Sequence, residues 1–388
     1  MATEFELNSP LAQQRWSNSL AVETETQQYF RKFMGTDRNS PVLVLKDLER
    51  KAGEKITHAL RIKLTGDGVE NDDIIQGTSA EQDLNFYSDH LYIGQRRKGT
   101  KSKGKMSEQR IAYNIRQHGR DALATWFAED IDQQIFLYAC GIPPASTALY
   151  NTTHPFTTLN PGYHVGNSWT GRANNNVGFV TQADGKKISA GVAVSHPYID
   201  SEHHFFGGTA TAYNTITTSD IMEVGLVEKA VALIDTIDPH INPIRINGED
   251  KYVLLMHPFQ AHSMRSATSE NDWLEIHKAT DSKDSIIYKN ALGEYAGVVL
   301  HKHRNIIRYI GGASANIAVG RALLLGAQAV TLAFGGASQY GRYSWNEEYD
   351  DRGNALVITV GAIYGVERCS FNSKAFGLIA IDTVCVAP

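Results

Sequence analysis

The chain has 388 residues, of which 42% are hydrophobic and 20% are charged, a composition typical of a folded globular protein rather than a fibrous or globally disordered one. The length predicts two domains rather than a single core. The formal net charge of −5 argues against wholesale electrostatic binding to nucleic acid, because affinity for DNA depends mainly on Lys and Arg displacing counterions from phosphates.

Neither a membrane segment nor a secretory signal is recognisable. The longest apolar run, 322–334, is broken by Gly326 and Gln328 and is shorter than the roughly 18 apolar residues that a membrane helix needs. The N-terminus lacks the basic and apolar regions of a secretory signal. We therefore expect no membrane partner and a chain that stays in the cytosol where it is made. The 3 cysteines show no Cys-x-x-Cys spacing and are expected to be reduced and buried.

The N-terminal region predicts an arm, a strand and a long loop. Residues 1–50 mix short amphipathic pieces with polar connectors and show no core of their own, which indicates an arm that packs on another surface. The alternation over 56–64 has the two-residue period of a β-strand. Residues 65–105 then form a predicted excursion, and an irregular segment beyond about 15 residues is uncommon in a compact domain unless it is functional or disordered.

Charge is distributed unevenly over this excursion. Its outgoing limb is acidic and its return limb is basic, which indicates pairing within the loop or with a neighbouring chain; the alternative is a solvated surface loop. The acidic residues are Asp67, Glu70, Asp72, Asp73, Glu81, Asp83 and Asp89. The basic residues are Arg96, Arg97, Lys98, Lys101, Lys103 and Lys105.

A long helix is predicted from Ser107 to Cys140. Glu108 suits the positive end of the helix dipole, and Gly141 stops the helix before two prolines. At about 1.5 Å per residue the helix would be roughly 50 Å long. One of its two apolar stripes consists of Leu123, Phe127, Ile131 and Ile135. Residues 144–217 are rich in turn signals, so short strands and loops are expected there.

The rest of the chain is predicted to mix helices and strands. Asp220 and Glu223 indicate a capping box for a helix that runs through Asp235. A strand is predicted at 297–301, and residues 341–388 are expected to form strands that return to the first domain. Further helices are predicted at 258–265, 270–279 and 316–330.

Several motifs approach known chemistry without completing it. Residues 99–105 match the Gly-x-x-x-x-Gly-Lys of a phosphate-binding loop, but Met106 cannot supply the hydroxyl that magnesium requires. His301 and His303 would share a strand face, yet no accompanying motif completes a zinc site. Ser314 lacks the Gly-x-Ser-x-Gly context of a nucleophile. We predict no catalytic residue, no cofactor, no metal and no enzyme.

The acidic run 347–351 allows two interpretations. It could be a paired-carboxylate site, but residues 350–354 are also a turn sequence between two strand-like runs, and the turn is favoured. The aromatic and arginine residues beside it are types enriched in interface cores, and ordinary strand packing is the alternative.

Five segments, in their order and spacing, resemble a known family. They are 106–110 (MSEQR) with its following helix, 294–301 (EYAGVVLH), 320–329 (GRALLLGAQA), 342–351 (RYSWNEEYDD) and 376–383 (FGLIAIDT). Together they resemble the major capsid proteins of tailed bacteriophages, in the podophage-type branch. The resemblance implies an α+β architecture, the Hong Kong phage capsid fold, with an N-terminal arm, an extended loop, a peripheral domain built on a long spine helix, and an axial domain.

The resemblance also implies an organisation and a function. The expected units are an arm (1–50), the extended loop with flanking strands (51–106), the peripheral domain (107–217), the axial domain (218–340) and returning strands (341–388). The implied function is self-assembly into pentamers and hexamers that form the icosahedral head around the double-stranded DNA genome. The alternative is an encapsulin-like nanocompartment shell.

The expected partners follow from the same resemblance. They are other copies of the chain, the portal, a separate scaffold protein, a possible decoration protein and weak non-specific contact with packaged DNA. The expected location is the virion, with the host cytoplasm during assembly. The candidate intersubunit contacts are Asp72, Asp73, Arg96, Arg97, Lys98, Arg342, Tyr343, Trp345, Glu347 and Glu348.

Overall fold

The computed structural model describes most of the chain outside residues 141–200 and 268–289. The described ranges are 10–46, 55–61, 86–110, 114–140, 201–211, 215–237, 240–246, 248–267, 290–306, 308–311, 317–336, 342–371 and 374–386, with isolated positions between them. The helices in these ranges are α1 (Pro10–Gln27), α2 (Lys105–Gln109), α3 (Ile115–Cys140), α4 (Val224–Ile234) and α5 (Pro258–Ala267). Within these ranges no helix has the length and apolar character required to cross a membrane.

The strands of the described ranges belong to two large sheets and two small ribbons. They are β1 (Met34–Gly35), β2 (Val42–Leu45), β3 (Lys55–Arg61), β4 (Phe86–Tyr92), β5 (Gly94–Lys101), β6 (His204–Phe206), β7 (Ile244–Ile246), β8 (Glu249–Met256), β9 (Gly293–Tyr295), β10 (Val298–Lys302), β11 (Arg308–Gly311), β12 (Ile317–Leu325), β13 (Val330–Phe334), β14 (Tyr343–Asp350), β15 (Ala355–Arg368), β16 (Ser370–Phe371), β17 (Lys374–Ala375) and β18 (Leu378–Val384).

The first sheet has the order β1-β2-β13-β15-β14, with β5 also paired to β15. Helices α1 and α3 cover one face of it. Strand β15 shows which face the helices cover. Leu356, Ile358 and Val360 are buried under the helices, whereas Val357 and Thr359 between them are only half-buried. This alternation is the pattern of a sheet with one packed face. The predicted stripe of α3 is buried in the same core, from Leu123 through Phe127 and Ile131 to Ile135.

The second sheet has the order β6-β18-β12-β8-β10-β9, with β11 paired to β12 and β7 paired to β8. Both of its faces are covered. Leu254 and Leu324 pack in a core with α4 and α5, whereas Leu255 and Leu323, one residue away, pack in the core of the first sheet. A strand buried on both faces needs apolar residues at every position, so its sequence lacks the two-residue alternation.

That burial explains why the predicted helix at 316–330 is wrong. The segment forms strand β12, which pairs with β8 and β18, and then a turn into β13. Its run from Ala322 to Leu325 is fully buried, and a continuous apolar run of this length does not distinguish a central strand from a buried helix by periodicity.

The predicted helix from Ser107 to Cys140 is also corrected. The structure has the short helix α2, which ends at Gln109, and the 26-residue helix α3. Asn114 caps α3, because its Oδ1 accepts hydrogen bonds from the backbone N–H groups of Arg116 (3.1 Å) and Gln117 (3.4 Å). At about 1.5 Å per residue, α3 is roughly 39 Å long rather than 50 Å.

The expected excursion over 65–105 is shorter than predicted. Residues 86–92 form β4, which pairs with β3 in a two-stranded ribbon, and 94–101 form β5 of the first sheet. The strand predicted at 56–64 corresponds to β3, and its last residues lie outside the described residues. The basic return limb up to Lys101 is therefore a strand that pairs with β15 rather than a loop.

The N-terminal region packs on its own chain, contrary to the expectation of an arm without a core. Helix α1 lies against α3 and β14, and its Leu20 is fully buried. Phe30 and Phe33, in the 3-10 turn that follows, are each only 1% exposed, and Phe30 contacts Phe136 of α3 with 4.7 Å between ring centroids. Strand β2 then joins the first sheet beside β13.

The capping box predicted for the helix after Asp220 is wrong as well. Helix α4 begins at Val224, and no side-chain hydrogen bond caps it. The carboxylate of Asp220 instead accepts hydrogen bonds from the backbone N–H groups of Thr217 (2.7 Å) and Thr209 (3.3 Å). Helix α5 and strand β10 confirm the helix predicted at 258–265 and the strand predicted at 297–301. The helix predicted at 270–279 lies outside the described residues.

The chain passes between the two sheets in its C-terminal part. Strand β13 lies in the first sheet with β14 and β15, whereas β18 lies in the second sheet beside β12. The crossing at Gly326–Gln328 is fixed by backbone hydrogen bonds, among them Gln328 N–H to the carbonyl of Ser40 (2.8 Å). The domain limits drawn from the sequence stay a prediction.

Candidate functional site

Trp345 and Glu347 lie in a buried contact between β14, α1 and α3. The indole of Trp345 stacks on Trp16, with 5.6 Å between centroids and 17° between planes. Trp345 Nε1 donates a 2.9 Å hydrogen bond to Glu347 Oε1, and Arg116 Nη2 of α3 lies 2.7 Å from Glu347 Oε2. Both residues are 5% exposed, so ordinary strand packing within one chain accounts for their contacts.

The other candidate residues in and beside β14 differ in how far they are buried. The carbonyl of Tyr343 accepts a 2.5 Å hydrogen bond from Ser17 Oγ, and burial raises the pKa of the Tyr343 hydroxyl above its usual value. Arg342 Nη1 lies 3.1 Å from Glu25 Oε1. Glu348, in contrast, is exposed. Its Oε1 accepts a 2.8 Å hydrogen bond from Asn346 Nδ2. As intersubunit contacts all of these residues stay predictions.

The basic residues of β5 divide between the two faces of the first sheet. Arg96 faces α3, with its Nε 3.6 Å from Oδ2 of the buried Asp130, and Lys98 Nζ lies 5.5 Å from the ring centroid of Trp126. Arg97, between them, is exposed on the opposite face. Asp72 and Asp73 lie outside the described residues.

The ribbon of β3 and β4 is buried at one end and exposed at the other. At its base, Ile56 and Leu91 pack against Ala333 of the first sheet, and Asp89 Oδ2 accepts a 3.0 Å hydrogen bond from the backbone N–H of Ser370. At its far end Phe86 is 56% exposed and Tyr87 is 39% exposed. Because consecutive strand residues point to opposite faces, the far end is uncovered on both sides.

The incomplete phosphate-loop and zinc motifs noted in the sequence belong to ordinary elements of the fold. Residues Gly99, Thr100 and Lys101 pair with β15 in the ladder of the first sheet, so they are extended and do not form a phosphate-binding loop. His301 is buried, with its Nδ1 3.2 Å from Lys32 Nζ, whereas His303 lies beyond the end of β10 and stacks on Phe136. Burial lowers the pKa of His303 to about 4.

Four further expectations from the sequence concern a serine nucleophile, a metal site, the cysteines and the turn at 350–354. Ser314 lies outside the described residues. No group of three His, Cys, Asp or Glu side chains within the described ranges is arranged to hold a metal ion. Cys140, Cys369 and Cys385 are buried, and their thiols are reduced, as the sequence predicts. The turn predicted at 350–354 is confirmed as the connection of the β14–β15 hairpin.

One buried polar network was not visible in the sequence. Arg321 of β12 and Asp382 of β18 form an ion pair deep in the second sheet, and His204 Nε2 lies 2.6 Å from Asp382 Oδ2. The three residues are far apart along the chain, and no spacing rule connects them. The only sequence signal is that Arg321 and Asp382 each interrupt an apolar run that is otherwise typical of a buried strand.

Comparison with known proteins identifies the class of protein that this fold defines. Residues 4–387 match the family model described as phage capsid protein. The major capsid protein of Pseudomonas phage KPP25 is 24% identical over an alignment 386 residues long, and the match covers 94% of this chain and 93% of that protein. The capsid of Ralstonia phage GP4 has a TM-score of 0.75 and 30% identity, with 100% of this chain and 99% of that chain covered.

A further solved structure shows the same fold at lower identity. The capsid asymmetric unit of Cyanophage Pam1 has a TM-score of 0.65 and 17% identity, with 100% of this chain and 97% of that chain covered. The chain belongs to the phage capsid protein family, which is a structural family rather than an enzyme family. It is a virion protein, and the resemblance to phage major capsid proteins drawn from its sequence is confirmed.

Proposed function

We propose that this protein assembles with its own copies into pentamers and hexamers that close into an icosahedral head around the double-stranded DNA genome. The observation that carries the proposal is the ribbon of β3 and β4. Within the described residues these two strands pair only with each other, and they present Phe86 and Tyr87 to solvent. An isolated two-stranded ribbon is marginally stable in water, so a neighbouring copy that covers its far end would stabilise it.

The ribbon fits the extended loop of the Hong Kong phage capsid fold. Its base is anchored to its own chain by Ile56, Leu91 and the hydrogen bond from Ser370 to Asp89. The 24 residues between Arg61 and Phe86 continue from its exposed end, and that segment carries the residues of the acidic limb other than Asp89. In this proposal α3 is the spine helix of the peripheral domain, and the second sheet with α4 and α5 belongs to the axial domain.

Many modest contacts repeated around closed rings would stabilise the shell without any single tight interface. The partners that we propose beyond other copies are the portal, a separate scaffold protein and a possible decoration protein. Contact with packaged DNA would be weak and non-specific, because the net charge of the chain is −5. Assembly would take place in the host cytoplasm. The relatives reported above are phage capsids, and no observation favours the nanocompartment alternative.

The proposal is tested by replacing residues 62–85 with a short Gly-Ser turn between Arg61 and Phe86. The replacement ends before β5, because that strand is part of the first sheet. The full chain and the shortened chain are each expressed with the other head genes of the phage, and particles are sized by mass photometry and electron microscopy. We expect megadalton shells from the full chain only. The thermal unfolding of the isolated subunit should be nearly unchanged, because exposed loops contribute little to global stability.

A matched pair of point variants separates assembly from folding. Changing both Phe86 and Tyr87 to Ser removes exposed aromatic area, so the unfolding midpoint should stay close to that of the unmodified chain while assembly weakens. Leu91 lies at the buried base of the ribbon, so Leu91→Ser should lower the unfolding midpoint of the isolated subunit. Normal shells from the variant with both Phe86 and Tyr87 changed to Ser would refute the role of the ribbon, and normal shells from the shortened chain would refute a role for residues 62–85. A full chain that forms no particle with its head genes would refute the proposed function.

A further inference from the structure

Strand β5 (Gly94–Lys101) is an edge of the first sheet. Within the described residues it pairs with β15 alone. Gly99, near the end of the strand, is exposed, and because glycine has no side chain the exposed atoms there are backbone atoms. The unpaired N–H and C=O groups of an edge strand are a template on which a further strand can form. We call the open side of this strand the β5 edge.

The β5 edge is strongly basic. Residues 94–106 carry six basic residues and no acidic one, in a chain whose net charge is −5. Arg96 Nε lies 3.6 Å from Asp130 Oδ2, and Lys101 Nζ lies 2.5 Å from Asp350 Oδ2. The side chains of the other four basic residues are exposed, and they are Arg97, Lys98, Lys103 and Lys105. A surface with one sign of charge attracts a partner of the opposite sign.

The same charges disfavour pairing between two β5 edges. If β5 of one copy paired with β5 of another, cations of both strands would face each other, and lysines on an edge strand prevent such pairing. An acidic strand meets the opposite condition, because opposite charges directly across a strand pair stabilise the pair. The charge pattern therefore selects an acidic partner rather than a second copy of the same strand.

Nucleic acid and acidic peptides are the two kinds of polyanion that a basic edge attracts. Phosphate groups accept hydrogen bonds from N–H groups but do not donate to carbonyl oxygens, so DNA would leave the C=O groups of the β5 edge unpaired. An extended peptide supplies both N–H and C=O groups, as strand addition requires. The open backbone of β5 therefore favours a peptide.

The spacing of the cations defines the sequence of that peptide. Arg97 and Lys101 share one face of β5 and are about 13 Å apart along the strand, at about 3.3 Å per residue. The Lys101–Asp350 ion pair is exposed and therefore weak, so Lys101 is available to a second carboxylate. Two acidic residues four positions apart on an added strand would each lie opposite one of these cations. An aromatic residue midway between them would cover Gly99.

We propose that the β5 edge binds an extended acidic segment of a separate partner protein by strand addition, with carboxylates opposite Arg97 and Lys101 and an aromatic side chain over Gly99. The partner is defined by this chemistry, in which acidic residues four positions apart flank an aromatic residue. The inference concerns a single subunit and does not depend on the proposed assembly into a head, so the two fail independently.

Peptide binding to the isolated full-length subunit tests the proposal. The probe is a fluorescein-labelled peptide of sequence Thr-Glu-Thr-Tyr-Thr-Glu-Thr, measured by fluorescence anisotropy. Two control peptides have the same charge, but one carries N-methyl groups on its odd residues and the other on its even residues. Because only one set of N–H groups faces β5, one control should bind about tenfold more weakly or worse, and the other should bind like the probe. The probe should also slow amide hydrogen exchange in β5.

Variants of the subunit test the role of the cations. Arg97→Glu with Lys101→Gln should weaken probe binding by about tenfold or more, because one carboxylate then faces a like charge. Lys229→Glu with Arg265→Gln makes the same charge change at exposed positions of α4 and α5 and should bind the probe normally. Unfolding midpoints must match the unmodified chain for the loss to count as support.

Four outcomes would overturn the proposal. The first is a probe that does not bind the unmodified subunit, and the second is a pair of methylated controls that bind alike, which would exclude strand addition whatever the variants show. The third is a short DNA duplex that binds the subunit and displaces the probe, which would make the β5 edge a nucleic-acid surface. The fourth is a subunit dimer that is lost in Arg97→Glu with Lys101→Gln, which would make the occupant a second copy.

Discussion

Arg321 and Asp382 are opposite each other in the pairing of β12 with β18 and form a bidentate ion pair inside the second sheet. Arg321 Nε donates to Asp382 Oδ1 at 2.8 Å, and Nη2 donates to Oδ2 at 2.7 Å. Arg321 Nη1 also donates to the carbonyl of Cys140 at the end of α3 (2.9 Å). Burial alone would raise the pKa of Asp382, but Arg321 and then His204 hold it below its usual value.

The first prediction concerns this pair. Arg321→Leu leaves the Asp382 carboxylate buried without its cation, which should lower the free energy of unfolding by about 3–5 kcal/mol. Arg245→Leu is the matched control, because Arg245 and Asp250 form an exposed ion pair, and loss of such a pair costs about 0–1 kcal/mol. Urea unfolding of the isolated subunit measures both. Equal losses in the two variants would show that the buried pair has no special role.

The second prediction concerns the packing of α1. Leu20 is fully buried between α1 and the rest of the chain, so Leu20→Ala should cost about 2–5 kcal/mol in the free energy of unfolding. Val22 lies on the same helix but is 67% exposed, and Val22→Ala should change stability by about 0.5 kcal/mol or less. Thermal or urea unfolding compares them. Small and equal effects would indicate that α1 is an arm that packs on another surface, as the sequence suggested.

Local sequence patterns predicted the elements whose packing has one buried face. The stripe on α3, the helix α5 and the turn at 350–354 each have a periodicity or a turn composition that survives in the structure. Strand β12 was misread as a helix because burial on both faces removes the alternation that marks a strand. The tertiary contact that decides the conformation is with β8 and β18, whose paired residues lie more than 50 positions away in sequence.

The candidate site was harder to predict than the fold. Tyr343, Trp345 and Glu347 have the composition of an interface, but α1 and α3 of the same chain bury them. Composition does not specify which chain supplies the covering surface, because the cores of interfaces and of domains use the same residue types. The basic limb was predicted as a loop for a related reason. The charged residues of this limb do not show the apolar alternation that marks a strand. Strand β5 forms because its backbone pairs with β15 through hydrogen bonds, which do not depend on the side-chain pattern.

The third prediction concerns pH. Burial, and then the nearby Asp89, raises the pKa of Glu367 to about 8 from its usual 4.5. The folded state therefore holds a proton that the unfolded state releases, so stability is fully present below about pH 4.5, falls as pH rises and levels off above about pH 8. Glu367→Gln removes this loss, which is on the order of a few kcal/mol.

Urea midpoints at about pH 5 and about pH 8 test this sign. The unmodified chain should be less stable at the higher pH, and the difference should shrink in Glu367→Gln. Asp132 contributes in the same direction, because burial raises the pKa of its carboxyl to about 7. Glu223→Gln, at an exposed position beside α4, serves as the control. A pH dependence that is identical in Glu367→Gln and the unmodified chain would contradict the assignment.

The fourth prediction separates two adjacent arginines of β5. Arg96→Glu places a carboxylate beside the buried Asp130, which accepts hydrogen bonds from Tyr364 and from Gln134 Nε2 (2.8 Å), so this change should lower the unfolding midpoint. Arg97 is exposed on the other face, and Arg97→Glu should leave the unfolding midpoint unchanged. Its effect should instead be on assembly, if a neighbouring copy presents the acidic limb to this face.

Salt dependence distinguishes that effect from a local disturbance. Exposed charges are screened over about 10 Å at 0.1 M salt and over about 30 Å at 0.01 M. The loss of particle yield in Arg97→Glu should therefore be largest at low salt and should shrink as salt is added, whereas the stability loss in Arg96→Glu should persist, because a buried charge is screened far less. Arg97→Lys keeps the charge and should assemble normally. Full assembly of Arg97→Glu at low salt would remove Arg97 from the intersubunit contacts.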